Sequence, residues 1–414
     1  MRPVLLNSRM KSFVQFVEEM RYHSPMPITP AVRKIHRAFT DAGRKLYVVG
    51  GAVRDHLLGK TPKDLDLATD APPQQVEWIL DTAGIKRTNP VGQRFGVVVA
   101  NVDGELYEIA TFREDLEKKR DTKVRYADIE ADAKRRDLTI NALYYDLDTD
   151  EVVDLVGGVD DLKTGRVRTV GAAAERFGED ALRVLRYIRF YCRVNEGGLG
   201  GVDRETQEAI YRRVENGLKG DDGKAVAPEP IREEFLKGLK SARSPAGFLG
   251  LYDHFGILSR YVFPGLHVVQ DFPNSNNPVL VIASILRKNS PEKIARRLGE
   301  LKYTNDEISK IVYLVNLLNL RQGELGHVLG DRPHYLYGLR RSQPQFSDSD
   351  MDTWANWHGL DPQALRAFRQ YELKNRQDVP GAMDVEGPEI GKLVTRFNTE
   401  ELLRRLGFRE WLAR

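Results

Sequence analysis

"LYVVGGAVRDHLLGKTPKDLDLATD", Leu46 to Asp70, is the stretch on which the reading of this chain turns. An apolar, β-rich run stops at two glycines, continues into helix-forming residues and returns to Asp-Leu-Asp-Leu. Strand, glycine turn, helix and second strand describe a small α/β unit. Side chains on a strand alternate faces, so Asp64 and Asp66 are expected on one face and Leu65 and Leu67 on the other. The two backbones then stand roughly 6.6 Å apart, and both carboxylates can converge on a hard cation of the Mg²⁺ type. Two such ions about 3.5–4 Å apart would clamp the attacking and leaving oxygens of a phosphoryl displacement. An isolated D-x-D is more often a solvated strand edge, and here the context argues otherwise. Gly50 and Gly51 permit close approach of backbone to a phosphate, and Arg54 follows as a candidate phosphate ligand. Asp55 reads as the structural partner of Arg54. Glu108, in "LYEIATFR", is the candidate third acid on another strand, with an exposed glutamate as the equal alternative.

Strand signals cluster between about 46 and 153: "LYVVGG", "DLDLAT", "FGVVVANV", "ELYEIATF" and "NALYYDL". The helical patterns "AVRKIHRAFTDAG" and "PQQVEWILDTAG" intervene, each closed by a glycine suited to a helix C-terminus. From about 170 onward the pattern is helical, as in "DRETQEAIYRRVENGL", "PIREEFLKGLKSA" and "NDEISKIVYLVNLLNL". The break "NGLKGDDGKAVAPEP", 216–230, marks a boundary or a loop. The expected fold class is α+β, a small mixed-sheet head followed by a helical neck, body and tail.

The chain has 414 residues, 41% of them hydrophobic and 30% charged, enough for two or three domains with a sizeable core. A net charge of +3 does not itself call for a polyanion, so any such binding rests on local basic clusters. A single cysteine, Cys192, excludes internal disulfides and suits a reducing compartment. No run reaches the length of a membrane span, and the slightly basic start lacks the apolar core of a signal peptide. Glu18 and Glu19 argue against an organellar transit peptide. The expected location is the cytoplasm, with monomer and homodimer both open.

"EDALRVLRYIRF" carries the sharpest chemistry. Read as a helix, it repeats Arg183, Arg186 and Arg189 every three residues amid Leu182, Val184, Leu185, Ile188 and Phe190. A largely apolar helix with one cationic stripe faces a polar cleft, because burying unpaired guanidinium groups is costly. An ordinary solvated face with a Glu179–Arg183 pair is the alternative that spacing alone leaves open.

In their order, "GGAVRD…DLDLAT", "RRDLTINAL" (135–143), "DLVGGVDDL" (154–162) and "RFGEDALRVLRYIRF" (176–190) resemble the class II tRNA nucleotidyltransferases. These are the CCA-adding enzymes and bacterial poly(A) polymerases of the polymerase-β superfamily. The resemblance covers about residues 30–240 and returns faintly at "VEGPEIGKLV", 385–394. It implies a leader at 1–28, a catalytic head at 29–150, a neck with the base-selecting helix at 151–220, a body at 221–330 and a tRNA-binding tail at 331–414. It also implies Asp64 and Asp66 as metal ligands for Mg²⁺, and Arg136 and Asp137 near the ribose and phosphates. Asp180 and Arg183 would template the incoming base, and Arg186 and Arg189 would lie near the triphosphate and that base. A carboxylate accepts from the exocyclic amine of cytosine or adenine and an arginine donates to the adjacent ring nitrogen, so CTP and ATP fit while UTP and GTP mismatch. Asn141 reads as a structural hydrogen-bonder. The implied partner is the tRNA acceptor arm, recognised by shape, with basic segments such as "IARRLGELK", "LRRSQPQF" and "LLRRLGFREWLAR" along the helical body. Trp354, Trp357 and Trp411 read as core or tail packing.

Two departures stand out. In "APEPIREEF" Glu229 and Ile231 follow the family pattern, but Pro230 replaces its arginine, with Arg232 as a neighbouring substitute. The segment "EDLEKKRDTKVRYADIEADAK" is shorter than the family loop that switches CTP to ATP, a mark of relatives that add only CC. The expected activity is therefore CCA addition, with CC-only, A-only, poly(A) addition or an inactive tRNA-binding module as alternatives.

Overall fold

The computed structural model describes residues 24–62, 64–88, 96–115, 124–320 and 334–406. Most of the leader, residues 116–123 of the segment expected to be a shortened loop, Trp411 and the last basic residues lie outside the described residues. The fold divides into two compact units, Met1–Val226 and Ala227–Arg414.

In the first unit, α1 (Pro30–Asp41) leads into β1 (Leu46–Val49), α2 (Gly51–Leu57), β2 (Leu67–Thr69), α3 (Pro73–Thr82), β3 (Lys86–Thr88), β4 (Val97–Val102) and β5 (Glu105–Thr111). There follow β6 (Arg113–Asp115), β7 (Val124–Tyr126), α4 (Ile129–Arg135), β8 (Leu143–Asp146) and β9 (Glu151–Asp154). Four helices close the unit: α5 (Gly158–Thr164), α6 (Ala173–Glu179), α7 (Leu182–Val194) and α8 (Arg204–Glu215). Among the described residues one seven-stranded sheet runs β3-β4-β5-β2-β1-β8-β9, with β6 and β7 paired separately. β2 and β5 are parallel and the other neighbours in the large sheet antiparallel, so the sheet is mixed as expected. The central strands are buried on both faces; Val49, Ala68, Phe112, Ala133 and Tyr144 form one apolar cluster between sheet and helices. Gly43 and Gly84, both at positive φ, end α1 and α3 where the sequence put their stops.

One expectation needs correction. Asp64 and Asp66 were placed on the strand itself, whereas β2 begins at Leu67. The ladder between β1 and β2 runs from Leu46–Thr69 to Val48–Leu67 and ends when the Val49 amide donates to the Asp66 carbonyl at 2.9 Å. Beyond it β1 turns at Gly50, which sits at φ 70° and donates instead to the Leu143 carbonyl on β8. With its neighbour turned away, the chain carrying both aspartates lies outside the ladder, apart from that one bond at Asp66.

The second unit is helical throughout its described residues: α9 (Pro228–Ser241), α10 (Pro245–His254), α11 (Pro278–Leu286), α12 (Pro291–Glu300), α13 (Asn305–Leu317), α14 (Tyr335–Arg341), α15 (Asp348–His358), α16 (Pro362–Gln370) and α17 (Pro388–Arg405), with short 3₁₀ and π turns between. Phe235 anchors its aromatic core, its ring centroid 5.4–5.8 Å from those of Phe248, Tyr252 and Phe263. Gly238 is required beside it, since a Cβ there would lie 2.2 Å from the Phe248 ring. Pro230 occupies the first turn of α9, where a missing amide hydrogen leaves no helical bond unmade. The Arg232 guanidinium is held by the Lys302 carbonyl. Trp354 is fully buried, but Trp357 faces outward at 46% exposure. The inner face of α15 is taken by Met351, Trp354, Ala355 and His358, and position 357 falls off that stripe. Among the described residues no helix is long and apolar enough to cross a membrane.

Candidate active site

A cavity of about 540 Å³ opens in the first unit where the Gly-Gly turn, the end of α4 and the cationic stripe of α7 meet. Val49, Gly50, Gly51, Arg54 and Asp66 line one side, Arg135, Arg136, Asp137 and Asn141 another, and Arg183, Arg186, Arg189, Phe190 and Arg193 the third. Nine of the site residues expected from sequence therefore meet there, Gly50, Gly51, Arg54, Asp66, Arg136, Asp137, Arg183, Arg186 and Arg189, joined by Asn141, which was read as structural. Asp64, Glu108 and Asp180 are not in its wall.

Glu108 and Asp64 nevertheless act on Asp66. The register of β2 against β5, Leu67 to Ile109, sets Glu108 beside Asp66. Asp66 is exposed, though the protein around it still withdraws water from part of its surroundings. Its pKa is raised, first by that withdrawal of water, then by the like charges of Glu108 and Asp64, with Arg136 pulling the other way. Mutually repelling carboxylates at the mouth of an arginine-lined cavity are the donor set a hard divalent cation satisfies. They are not yet gathered into a cage: among the described residues no three acidic, His or Cys side chains are grouped as metal ligands.

The arginines are fixed by acids and by one another's elements. Arg54, 3% exposed, is held by Asp55 (Nε–Oδ1 3.0 Å, Nη2–Oδ1 2.9 Å) and by Asn141. Burial lowers its pKa and Asp55 opposes that shift. Arg193 donates to the other Asp55 oxygen at 2.6 Å. Asn141 donates to Asp137 at 3.4 Å, and Arg186 grips the far oxygen of Asp137 at 3.0 and 2.7 Å. Burial raises the Asp137 pKa, but Arg186, the Leu138 amide and Asn141 together bring it below the usual carboxylate range. The relay Arg193–Asp55–Arg54–Asn141–Asp137–Arg186 thus starts and ends on α7. Phe190 sits inside it, with the guanidinium carbons of Arg189, Arg54 and Arg186 at 4.1, 5.0 and 5.8 Å from its ring centroid. Arg135 and Arg136 share Asp132, and Arg136 also meets the Tyr144 hydroxyl at 3.0 Å.

Two motifs position these groups without lining the cavity. Asp154 accepts the amides of Val156, Gly157, Gly158 and Val159 at 2.9–3.2 Å and so builds the start of α5. A Cβ at Gly158 would lie 2.2 Å from the Thr139 carbonyl oxygen, so this glycine lets α5 press directly on the segment carrying Asp137. Arg176 bonds the carbonyls of Arg135 and Arg136 at 2.6 and 2.8 Å.

A second correction concerns the segment expected to select the base, which was read as one helix from Glu179. It breaks: α6 ends at Glu179, Asp180 is extended, and α7 starts at Leu182. The Asp180 carboxylate accepts the Leu182 amide at 3.0 Å, a side-chain turn that starts the new helix. Glu179 does pair with Arg183, as the solvated-face alternative required, but Arg183 also lines the cavity. Arg135, Phe190 and Arg193 were missed. The arginine stripe continues one turn to Arg193 by a step of four, a signal that counting only in threes passes over.

Similarity to known proteins agrees with this geometry. A family profile described as the poly(A) polymerase head domain matches residues 46–168. The mitochondrial CCA tRNA nucleotidyltransferase 1 of Danio rerio is 35% identical over 286 residues, 66% of this chain and 63% of that protein. The CCA-adding enzyme of Latilactobacillus sakei is 34% identical over 284 residues, 65% of this chain and 67% of that protein. This chain spans between about two fifths and two thirds of the length of the curated relatives it matches. The crystal structure of the Bacillus stearothermophilus CCA-adding enzyme in complex with CTP superposes with a TM-score of 0.64 at 24% identity, covering 92% of this chain and 99% of that one, a likeness of fold. With the motif order, the arginine-lined cavity and these relatives together, the chain belongs to the class II family of CCA-adding enzymes and poly(A) polymerases.

Proposed function

We propose that this protein is a template-independent RNA nucleotidyltransferase that uses CTP and ATP to build CCA at the 3′ end of tRNA. The observation that supports it most is the single cavity in which a glycine turn, Asp66 and seven arginines converge. In this reading Arg54, Arg136 and Arg186 face the triphosphate, their guanidiniums already oriented by Asp55, Asp132 and Asp137. Preorganised donors of this kind need no rearrangement as charge develops. Arg183, oriented by Glu179, donates to the ring nitrogen of cytosine or adenine. Asp180 starts α7 through one carboxylate oxygen, and the reading assigns its other oxygen to the exocyclic amine. Asp64 and Asp66, with Glu108 beside them, are the residues that would hold Mg²⁺. When bound, Mg²⁺ supplies charge neutralisation around the reacting phosphate. The RNA 3′-oxygen bonds to the α-phosphorus, the bond to the β-phosphate oxygen breaks, and pyrophosphate leaves while the hydroxyl proton passes to water. The tRNA acceptor arm is read by shape along the basic helices. The setting of this reaction in the proposal is the cytoplasm, in keeping with the single, buried cysteine.

The test is to incubate the protein with Mg²⁺ and tRNAs ending before C74, C75 and A76, each with one nucleoside triphosphate, and to sequence the ends. C, C and A added in turn support the proposal. Stopping after CC supports the shortened-loop variant, and long A tails support a polymerase, the activity for which the matched head domain is described. No incorporation with retained tRNA affinity would refute catalysis altogether.

A further inference from the structure

The break between α6 and α7 needs something to hold it open. In an unbroken helix the Gly178 carbonyl would accept the amide four residues on, that of Leu182. Here the Asp180 carboxylate takes that amide at 3.0 Å, so the Gly178 carbonyl loses its helical partner. Gly178 is buried, and a buried carbonyl at a helix end is costly to leave unanswered. The answer comes from a distant loop, whose Asp221 amide donates to it at 2.7 Å.

That loop, 216–226, follows α8 and is itself fixed. Leu218, 1% exposed and at φ 51°, plugs it into the core, with its amide on the Arg213 carbonyl at 2.8 Å. Lys219 pairs with Ala225 across the loop, and the Gly223 amide turns back to the Gly220 carbonyl at 3.0 Å. Arg213, buried on α8, clamps it: Nη1 donates to the Lys219 carbonyl at 3.3 Å and Nη2 pairs with Asp221 at 2.7 Å. The fit against α6 leaves no slack. A Cβ at Gly178 would collide with the Asp221 carboxylate and stand 2.8 Å from Nη2 of Arg213. One at Gly220 would stand 3.1 Å from the Gly178 carbonyl oxygen.

The next residues along the chain are those assigned to the base. Glu179 accepts from Arg176 at 2.7 Å and orients Arg183, which also donates to the Arg176 carbonyl at 3.2 Å. Asp180 spends one oxygen on starting α7. Were the loop to let go, the Leu182 amide would be free to return to Gly178. The two helices would then join, and Asp180 would take the direction of a residue inside a helix.

We infer that the loop 216–226, through Asp221 and its clamp Arg213, is a specificity-determining brace. It keeps the α6–α7 break open and so sets the direction in which Asp180 and Arg183 meet a nucleobase. The inference rests on the base reading proposed above. Arg213 and Asp221 touch no substrate; they are positioning residues that act through the Gly178 peptide.

The test titrates CTP, ATP and UTP, each with Mg²⁺ and without RNA, into the full chain and into Arg213→Met, Arg213→Lys and Asp221→Asn, with thermal unfolding of each. The parent should bind CTP or ATP in preference to UTP. Arg213→Met should lower that ratio of affinities by roughly 10- to 100-fold, the size expected when a reading group is displaced by about 1 Å. Asp221→Asn should lower it less, and Arg213→Lys should keep most of it. The three nucleotides share one triphosphate, so a general loss of fold or of phosphate grip lowers every affinity together and leaves the ratio alone. The Asp221 side chain is 69% exposed, so Asp221→Asn carries the test even where Arg213→Met does not fold. In a parent that prefers CTP or ATP, a ratio unchanged in Asp221→Asn and in every folded Arg213 variant would overturn the brace alone. A parent without that preference would refute the base reading and the brace together.

Discussion

The arginines around the cavity of the first unit and Arg340 of the second are set in opposite ways. Around the cavity Arg54, Arg136, Arg183, Arg186 and Arg193 each rest against a carboxylate: Asp55, Asp132, Glu179, Asp137 and Asp55 again. Among the described residues Arg340 rests against none. The difference teaches how each group can be used. A guanidinium held by an acid is rigid and costs little to present to a substrate, so it suits selection and catalysis. A guanidinium without an acid has no partner to fix its direction.

The largest effect expected from this comparison concerns base choice. Glu179→Gln should free Arg183 from its orienting charge, and Arg183→Ala should remove the donor outright. The preference for CTP over UTP, read as the ratio of kcat/KM values, should fall by up to roughly 10⁴ for Arg183→Ala, and by less for Glu179→Gln. Unaltered selectivity in both would break the assignment.

The next effect is on stability, and here Arg186 and Arg340 should diverge in size. Arg186→Met leaves the Asp137 carboxylate without its chief partner and should cost about 1–3 kcal/mol in urea unfolding. Arg340→Met should cost nothing. The pH dependence follows. The folded pKa of Asp137 lies below its unfolded value, so its ionised form stabilises the fold above the usual carboxylate range, and that contribution is lost as pH falls through the folded pKa. In Arg186→Met the acid limb of the stability curve should begin at higher pH. Asp66 is the reverse case: its raised pKa means that its charge opposes folding increasingly as pH rises through the carboxylate range. Asp66→Asn should therefore raise the unfolding midpoint at neutral pH without Mg²⁺.

Gly158→Ala drives a Cβ into the Thr139 carbonyl and should cost about 1–3 kcal/mol. Its kcat should fall too, because the displaced segment carries Asp137. The smallest effect is expected of Arg193→Met, at the end of the relay and 25% exposed: roughly 1 kcal/mol or less, with KM for CTP changed more than kcat.

Much of this was legible in the residues because periodicity and turn chemistry are local. The five strand runs, the long helices and their glycine stops follow from alternation, 3.6-residue spacing and positive φ. The arginine stripe of α7 announced a polar cleft. What escaped depended on distant partners. Asp64 and Asp66 fall off β2 because β1 turns away at Gly50 to bond Leu143, more than ninety residues on. Asp180 leaves the helix because its own side chain competes for the Leu182 amide. The ring of bonds around Phe190 joins three segments, and no spacing within any one of them could reveal it. Arg340 was read within the basic run "LRRSQPQF", and spacing alone does not show which of its arginines meets an acid.

The most direct measurement is single-turnover transfer of labelled CMP to a tRNA lacking its terminal CCA, with Mg²⁺, for the parent protein and for Asp66→Asn. The account predicts transfer by the parent and a fall on the order of 10³-fold or more in the variant, with CTP and tRNA affinities largely kept and thermal stability no lower. Transfer by Asp66→Asn at the parental rate, or none by the parent, would contradict it.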